Sequence, residues 1–288
     1  MEIWSEGLSR ALKKLGAVIP KSVMFKVGLL IILATLFIAA AAPLISPYDP
    51  TKATSEILLP PSPSHPMGTN QIGQDVLSRV IYGSRIILLV VFSATLISMA
   101  VGIPVGIYSG FIGGKADRVL SMIMDSIYAF PSLILAIAIA SVLGPSPLNT
   151  AISLAVVYIP TYFRMTRGQT LSLREQLFVE AARSMGASKW HIMRRHIFPN
   201  LLPTVLVVFT LSAADAIITE AGLSYLGLSV TPPTPDWGYD LRAGQGYFTI
   251  GFWWISFFPG IMIMLLALGF ALIGEALGER FSLASAGR

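Results

Sequence analysis

Long apolar stretches separated by short polar segments dominate this sequence. Six of them cover residues 27–45, 86–112, 119–143, 148–163, 201–223 and 249–273. An α-helix rises about 1.5 Å per residue, so about 20 apolar residues cross a hydrocarbon core of about 30 Å. The pattern predicts an all-α, polytopic membrane protein with six transmembrane helices. The turn-forming run Gly-Pro-Ser-Pro-Leu-Asn at 144–149 predicts a tight turn between the third and fourth.

Composition supports this interpretation. Of the 288 residues, 54% are hydrophobic and 12% are charged, whereas a soluble domain has about 25% charged residues. The values argue against a water-soluble domain and against a disordered chain. The chain has no cysteine, which removes thiolate catalysis and thiolate metal ligands.

The distribution of basic residues predicts the orientation. Only Lys52, Arg79, Arg85 and Arg242 of the 20 Lys and Arg residues fall on one side of the six predicted helices. The excess on the other side places both termini in the cytoplasm by the positive-inside rule. The net charge of +5 is therefore explained by topology, and no nucleic-acid partner is expected.

The helices divide the chain into five segments. Residues 1–24 have apolar positions at helical spacing and are expected to form a cytoplasmic helix in the membrane interface. A cleavable signal peptide is the less favoured alternative, because 26 residues precede the apolar core. The other segments are a first transmembrane helix at 25–45, an outer loop at 46–85, a five-helix core at 86–275 and a cytoplasmic tail at 276–288. The proline-containing segments 46–85 and 224–248 are expected to cap the outer mouth or contact an external partner, or to be simple connectors.

Small residues recur at every fourth position of the second predicted helix. Ser98, Gly102, Gly106 and Gly110 form this stripe, which allows another helix backbone to approach closely. The stripe is therefore expected to face protein. Pro104 in the same helix is expected to bend it.

Three acidic residues lie within or beside the apolar stretches. A carboxylate at the bilayer centre costs about 2.5–3.5 kcal/mol on insertion scales, so each requires a partner or a wet cavity. Asp215 is expected beyond the midplane, either lining a passage or bonding another helix, and Glu220 is expected at the outer interface. Asp125 is expected to pair with Arg118 or a neighbouring helix. All three are candidates for a translocation path.

The segment at 173–200 predicts two short helices joined by a turn. Gly186 suits the left-handed end of the first helix, and Ser188 can cap the second. In the second helix Trp190, Met193 and Ile197 are expected to enter the membrane interface, with Lys189, Arg194 and Arg195 in water. This amphipathic hairpin is either a docking element or an ordinary connector.

The same segment resembles the EAA loop of permease subunits of ATP-binding-cassette importers. Glu180, Ala181, Ala182, Gly186 and Pro199 fall at the spacing of that motif, while His196 and Phe198 replace its usual isoleucine and leucine. Further stretches are similar to the second permease type of the dipeptide and oligopeptide branch. They are His-Pro-Met-Gly-Thr at 65–69, Gly-Gln-Asp-Val-Leu-Ser-Arg at 73–79, residues 113–125 with 129–132, Glu-Ala-Gly-Leu-Ser-Tyr-Leu-Gly-Leu at 220–228, and residues 232–238.

The resemblance implies an importer permease with no cofactor of its own. Its partners would be a homologous second permease, expected as a heterodimer, two cytoplasmic ATPases that hold ATP and Mg, an extracytoplasmic substrate-binding protein, and membrane lipid. The residues implied in coupling to the ATPases are Glu180, Ala181, Ala182, Gly186, Ser188, Lys189, Trp190, Arg194 and Pro199. The implied cargo is a di- or oligopeptide, while some relatives carry oligosaccharides or nickel chelates.

Two other functional classes compete with an importer permease. The sequence has neither a phosphate-binding loop nor a zinc-protease motif, and His65, His191 and His196 lack the spacing of metal ligands on one helix face. An enzyme is therefore disfavoured, and no metal site is expected. An ATP-independent secondary transporter or channel would use Asp125, Asp215 and Glu220 as an ion relay. It would not need the hairpin at 173–200.

Overall fold

The computed structural model describes residues 22–286, with side chains up to residue 281. This part of the chain is helical, without a β-strand. The helices are α1 (Val23–Ile45), α2 (Val76–Ile112), α3 (Gly114–Tyr128), α4 (Ser132–Leu143), α5 (Pro147–Leu173), α6 (Leu177–Ser184), α7 (Lys189–Ile192), α8 (Phe198–Tyr225), α9 (Trp237–Phe248) and α10 (Trp254–Ala286). The helix predicted for residues 1–24 lies almost wholly outside the described residues.

Four helices in the described range are long and apolar enough to cross a membrane. They are Val23–Ile45, Val76–Ile112, the continuous helix Lys189–Tyr225, and Trp254–Phe281. The pair α3 and α4 would make a fifth span if counted together. Helix α5 corresponds to the remaining predicted span, and it carries Arg164 and Arg167 among its 27 residues.

The third predicted helix, 119–143, is wrong as one continuous element. It is broken between Tyr128 and Ser132, and the two pieces, α3 and α4, meet at an angle of 88°. Pro131 explains the break, since proline lacks an amide hydrogen and disfavours helical backbone in the residue before it. The tight turn predicted after this region is confirmed: Gly144 has φ +81° and Ser146 caps α5.

Two further boundaries differ from the prediction. Helix α2 begins at Val76, ten residues before the predicted start at 86, because Asp75 caps it by accepting a hydrogen bond from the amide of Ser78. Helix α9 was not predicted at all. Asp236 starts it by accepting hydrogen bonds from the amides of Gly238 and Tyr239.

Helix α5 packs along α2 with almost no space between the two backbones. A Cβ placed on Gly102 would lie 2.7 Å from the carbonyl oxygen of Ile159, and one on Gly110 would lie 2.7 Å from that of Arg167. The Ser98 hydroxyl donates to the carbonyl of Ala155 across the same contact, at 3.0 Å. The small side chains on α2 thus allow α5 to lie against it, and α5 leads directly to the segment at 173–200.

At the start of α2, two proline-rich segments, 46–75 and 226–236, form what we call the cap. The buried Arg79 holds them together. Its guanidinium donates to the Asp240 carboxylate at 2.6 Å and to the carbonyls of Pro50 and Pro233 at 3.0 and 3.1 Å. Burial raises the pKa of Asp240 to about 6 although Arg79 opposes the shift, so the carboxylate is ionised at pH 7 and pairs with Arg79.

His65 links two carboxylates within the cap. Its Nδ1 lies 2.9 Å from Asp75 Oδ1 and its Nε2 lies 3.1 Å from Glu56 Oε2, while its ring stacks on Tyr48. Burial lowers the pKa of the imidazole, but the two carboxylates outweigh burial and the pKa is raised above its ordinary value. In its protonated form, which the two carboxylates favour, His65 links Glu56 to Asp75 at the start of α2.

The α2–α5 contact predicts a steric effect at Gly106. A Cβ at this position would lie 2.6 Å from the carbonyl of Phe163. We expect Gly106→Ala to lower the free energy of unfolding by about 1–3 kcal/mol through overpacking. The measurement is thermal unfolding of the detergent-solubilised protein followed by size-exclusion chromatography.

Gly168 provides the matched control for this substitution. It lies on α5, and nothing is found within 4 Å of a Cβ placed on it. Gly168→Ala should be neutral or stabilise by about 0.5–1 kcal/mol through helix propensity. Equal stability of the two variants would contradict a tight α2–α5 contact.

The cap predicts a pH-dependent stability through His65. A raised folded-state pKa stabilises the fold fully below the ordinary histidine pKa, about 6.5, and this contribution is lost as the pH rises through the folded-state pKa. We expect the unfolding temperature to fall as the pH rises from about 6.5 through the raised folded-state pKa of His65. The fall should be smaller in His65→Asn. The fall in unfolding temperature should persist in His191→Asn, because His191 is an exposed histidine remote from the cap. An identical fall in all three proteins would exclude His65 as its source.

Candidate functional site

Helices α6 and α7, the turn between them and the π-helical turn that follows α7 form what we call the coupling segment, residues 177–197. The predicted turn is confirmed. Gly186 has φ +81°, its amide donates to the carbonyl of Arg183, and the amide of Ala187 donates to that of Ala182. This pair of bonds closes a helix at a left-handed glycine. Ser188 caps α7 as predicted, by accepting a hydrogen bond from the amide of His191.

The second half of the coupling segment runs into a membrane helix without a break. One π-helical turn, Met193–Ile197, connects α7 to α8, and the amide of Phe198 bonds to the carbonyl of Met193. Pro199, expected at the end of a loop, lies in the first turn of α8. The wider turn is consistent with Pro199, which has no amide hydrogen to donate to the helix. A movement of α7 is thereby linked directly to α8.

The coupling segment has one buried and one exposed face. Val179, Ala182, Ile192, Met193 and Ile197 pack into the protein core. The expectation that Met193 and Ile197 enter the membrane interface is therefore wrong, since the helical bundle itself covers them. The exposed side chains of the coupling segment include those of Glu180, Ala181, Lys189, Trp190, Arg194 and the apolar Leu177 and Met185. Trp190 and Arg194 also line a cavity of about 260 Å³ against α2.

The chemistry of the exposed face suits a protein partner. Leu177, Met185 and Trp190 are 81%, 80% and 68% exposed. Large apolar side chains among charged ones are typical of a surface that another protein covers. This face is the candidate docking surface.

Three arginines brace the coupling segment and the end of α5 against α2 and α3. Arg183 lies over the ring of Phe111 at 5.2 Å, and Arg174 donates to the carbonyl of Gly110 at 2.9 Å. Arg167 donates to Asp117 on α3, with Nη2 2.7 Å from Oδ2. Arg183 thus ties the coupling segment to α2, while Arg174 and Arg167 hold the end of α5, from which the segment continues, against α2 and α3.

A cavity of about 330 Å³ lies where the break between α3 and α4 faces α5 and α8. Tyr128, Phe130, Ser132, Tyr158, Thr161 and Asp215 are among its lining residues. Tyr158 is buried, and its hydroxyl donates to Asp215 Oδ2 at 2.7 Å. The cavity thus combines aromatic walls with one carboxylate on a membrane helix.

The structure separates the three acidic residues considered for a translocation path. Asp215 lines the cavity. Asp125 lies on α3 with its side chain 61% exposed, and its carboxylate is 3.8 Å from Arg164 of α5, the neighbouring-helix pairing that was one of its predicted alternatives. Glu220 is fully buried, and its Oε1 accepts a hydrogen bond from Ser229 at 2.8 Å.

Some residues of these sites were missed in the sequence. Tyr158 and Tyr128 sit in apolar stretches, where an aromatic residue gives no sign that it lines a cavity. Arg164 belongs to the basic excess on the predicted cytoplasmic side, and in the structure its guanidinium lies 4.6 Å from the centre of the Tyr128 ring. Arg164 follows Thr161 by three residues, so both lie on one face of a helix. This spacing is the sequence feature that could have indicated a polar face on α5.

Comparison with known proteins places the chain in a family. Residues 102–283 match the family described as binding-protein-dependent transport system inner membrane component. The chain is 38% identical over 250 residues to the probable D,D-dipeptide transport system permease protein DdpC of Escherichia coli, covering 86% of this chain and 84% of the relative. It is 38% identical over 259 residues to the di/tripeptide transport system permease protein DppC of Pseudomonas aeruginosa, covering 88% and 85%.

Solved structures show the same fold. Two inward-facing structures of the MetNI methionine ABC transporter match with TM-scores of 0.55 and 0.58, at 21% and 20% identity. The matches cover 72% of this chain and 95% and 96% of the matched chains. The family match, these relatives and the apolar spans agree: the chain belongs to the family of binding-protein-dependent transport system inner membrane components and is a multi-pass permease subunit of an ABC importer.

Proposed function

We propose that this permease imports di- or oligopeptides. The observation that carries the proposal is the identity of about 38% over most of the chain to permeases named for dipeptide transport. A relative named for glutathione transport, from Pectobacterium atrosepticum, is 36% identical over 252 residues. Glutathione is itself a tripeptide, so peptides are the cargo that these names share.

The membrane topology that fits this function has six spans and cytoplasmic termini. Helix α5 supplies the sixth span although it is less apolar than the others. Its buried residues face α2 and α8 in the bundle, so few of its side chains need to meet lipid. The excess of basic residues beside the coupling segment supports a cytoplasmic location for it. The cap is then extracytoplasmic.

The exposed face of the coupling segment is the proposed contact with an ATPase subunit. Two ATPases would bind ATP and Mg, and a homologous second permease would complete the passage. The extracytoplasmic binding protein would deliver peptide at the cap. This chain contributes the membrane path and the docking surface, while hydrolysis occurs on the ATPases.

Energy transfer follows from the way the coupling segment is attached. When the ATPases close on ATP, they would move α6 and α7. The π-turn would transmit that movement to α8, and the arginine braces would transmit it to α2, α3 and α5. Of these helices, α3, α5 and α8 line the cavity, so the access of the cavity to either side would change with the movement.

Purification from native membranes tests the assembly. The chain is tagged, extracted in mild detergent, and everything that stays bound is identified by mass spectrometry. We expect two ATPase subunits and a second permease. Reproducible recovery of the folded chain alone would contradict the proposal and favour a secondary transporter.

Gly186→Asp tests the coupling role. Nothing lies within 4 Å of a Cβ at Gly186, but its φ of +81° strains any other residue. We expect the importer to assemble in the membrane while uptake of dialanine falls by about tenfold or more, as expected if a turn at the docking surface is displaced. The measurement is ATP-driven uptake in proteoliposomes alongside ATP hydrolysis.

Gly144→Asp is the matched control. Gly144 also has φ +81° and open space around its Cβ, but it lies in the turn between α4 and α5. Both substitutions add the same charge at a positive φ, and Gly144, with ψ 161°, lies in a backbone region that only glycine adopts readily, so its strain is at least as large. Only Gly186→Asp alters the coupling segment. Equal losses of uptake in the two variants would show that strain alone causes the defect.

A further inference from the structure

Asp215 stands in the middle of an otherwise apolar surface. Leu211 and Ile218 are exposed on the same helix, α8, about one turn away on either side. Asp215 is exposed as well. An ionised carboxylate in contact with lipid is costly, so this face of the helix must line a wet or protein-covered space.

Hydrogen bonds orient the carboxylate of Asp215 but occupy only part of its capacity to accept them. Tyr158 donates to Oδ2 at 2.7 Å, and Thr219, whose hydroxyl is 3.3 Å from that of Tyr158, donates to the carbonyl of Asp215 at 2.9 Å. Within residues 22–281, whose side chains are described, Asp215 forms no salt bridge. Among these residues no cation neutralises its charge, and Oδ1 accepts no hydrogen bond from them.

The walls beside this carboxylate suit an organic cation. Phe130 and Tyr128 line the same cavity from the break between α3 and α4, and Arg164 already lies over one face of the Tyr128 ring. Aromatic ring faces attract ammonium groups, and a neighbouring carboxylate adds a charge-assisted hydrogen bond. The volume of about 330 Å³ lies at the lower end of the range of about 300–1,000 Å³ typical of small-molecule sites.

We propose that this cavity binds the protonated amino terminus of the transported peptide, with the Asp215 carboxylate as acceptor and Tyr158 as the residue that positions it. The inference rests on the proposed import of peptides and adds a recognition step inside the permease. Selection for a free amino terminus then occurs in the membrane path as well as wherever the peptide is first captured.

A product-side competition experiment tests the site without changing the protein. The complete importer is reconstituted in proteoliposomes and takes up labelled dialanine with ATP. Unlabelled dialanine or N-acetyl-dialanine is placed at millimolar concentration on the product side, where it reaches the cavity without the binding protein. Dialanine should slow uptake. N-acetyl-dialanine, which lacks the ammonium group, should need a concentration about tenfold or more higher.

Variants assign the effect to the residues. Asp215→Asn should raise the half-inhibiting concentration of dialanine by about tenfold or more and remove the preference over the acetylated form. Asp215→Glu should restore the preference in part, and Tyr158→Phe should weaken inhibition less than Asp215→Asn. Glu275→Gln removes an exposed carboxylate from another membrane helix, α10, and should leave the inhibition unchanged.

Three results would overturn the inference. They are equal inhibition by the two peptides in the wild-type importer, no inhibition by dialanine at all, or wild-type inhibition in Asp215→Asn. In each case ATP-driven uptake is still measured, so the proposed import function stands. If uptake of peptide itself is absent while the assembled complex hydrolyses ATP, the proposed cargo has failed instead.

Discussion

The close contact between α2 and α5 determines where the functional parts of this permease lie. Helix α5 carries Tyr158 at the cavity and Arg167 at the brace to α3, and it leads directly into the coupling segment. Because backbone packs against backbone at Gly102 and Gly110, the distance between the helices leaves little room to adjust. A force on the coupling segment is then expected to shift α2 and α5 as one unit rather than separate them.

The cap depends on a different kind of interaction. Arg79 and Asp240 lie 161 residues apart in sequence and form a buried ion pair. Such a pair contributes little net stability, because desolvation offsets the attraction, but loss of either partner leaves an uncompensated buried charge. Its structural effect is to hold both proline-rich segments at the start of α2. The end of α8 lies in the same region. There the Ser224 hydroxyl donates to Asp236, and the Ser229 hydroxyl donates to the buried Glu220 of α8.

Sequence patterns predicted the structural features that repeat along the chain or that depend only on neighbouring residues. The apolar stretches located the main helices, and Gly186 and Ser188 located the turn and cap of the coupling segment, because these features depend on nearby residues. The early start of α2 was missed because Arg79 and Arg85 interrupt its apolar pattern, and Arg79 is neutralised only by a residue distant in the chain. The cavity was missed for the same reason: Tyr158 and Asp215 are 57 residues apart. Asp215 was noticed because it is charged, but its direction depends on how the helices pack.

The break at Pro131 has a consequence for the permeability barrier. Helix α4 begins at Ser132, beside the cavity, and the first amides of a helix have no partner within it. Hydrocarbon cannot satisfy such groups, so irregular backbone at membrane depth is tolerated only next to protein or water. Water entering the cavity would shorten the dry distance that separates the two sides of the membrane. A peptide would then lose its hydration over only part of the bilayer thickness, and the remaining dry part is the barrier that must close against ions in every transport cycle.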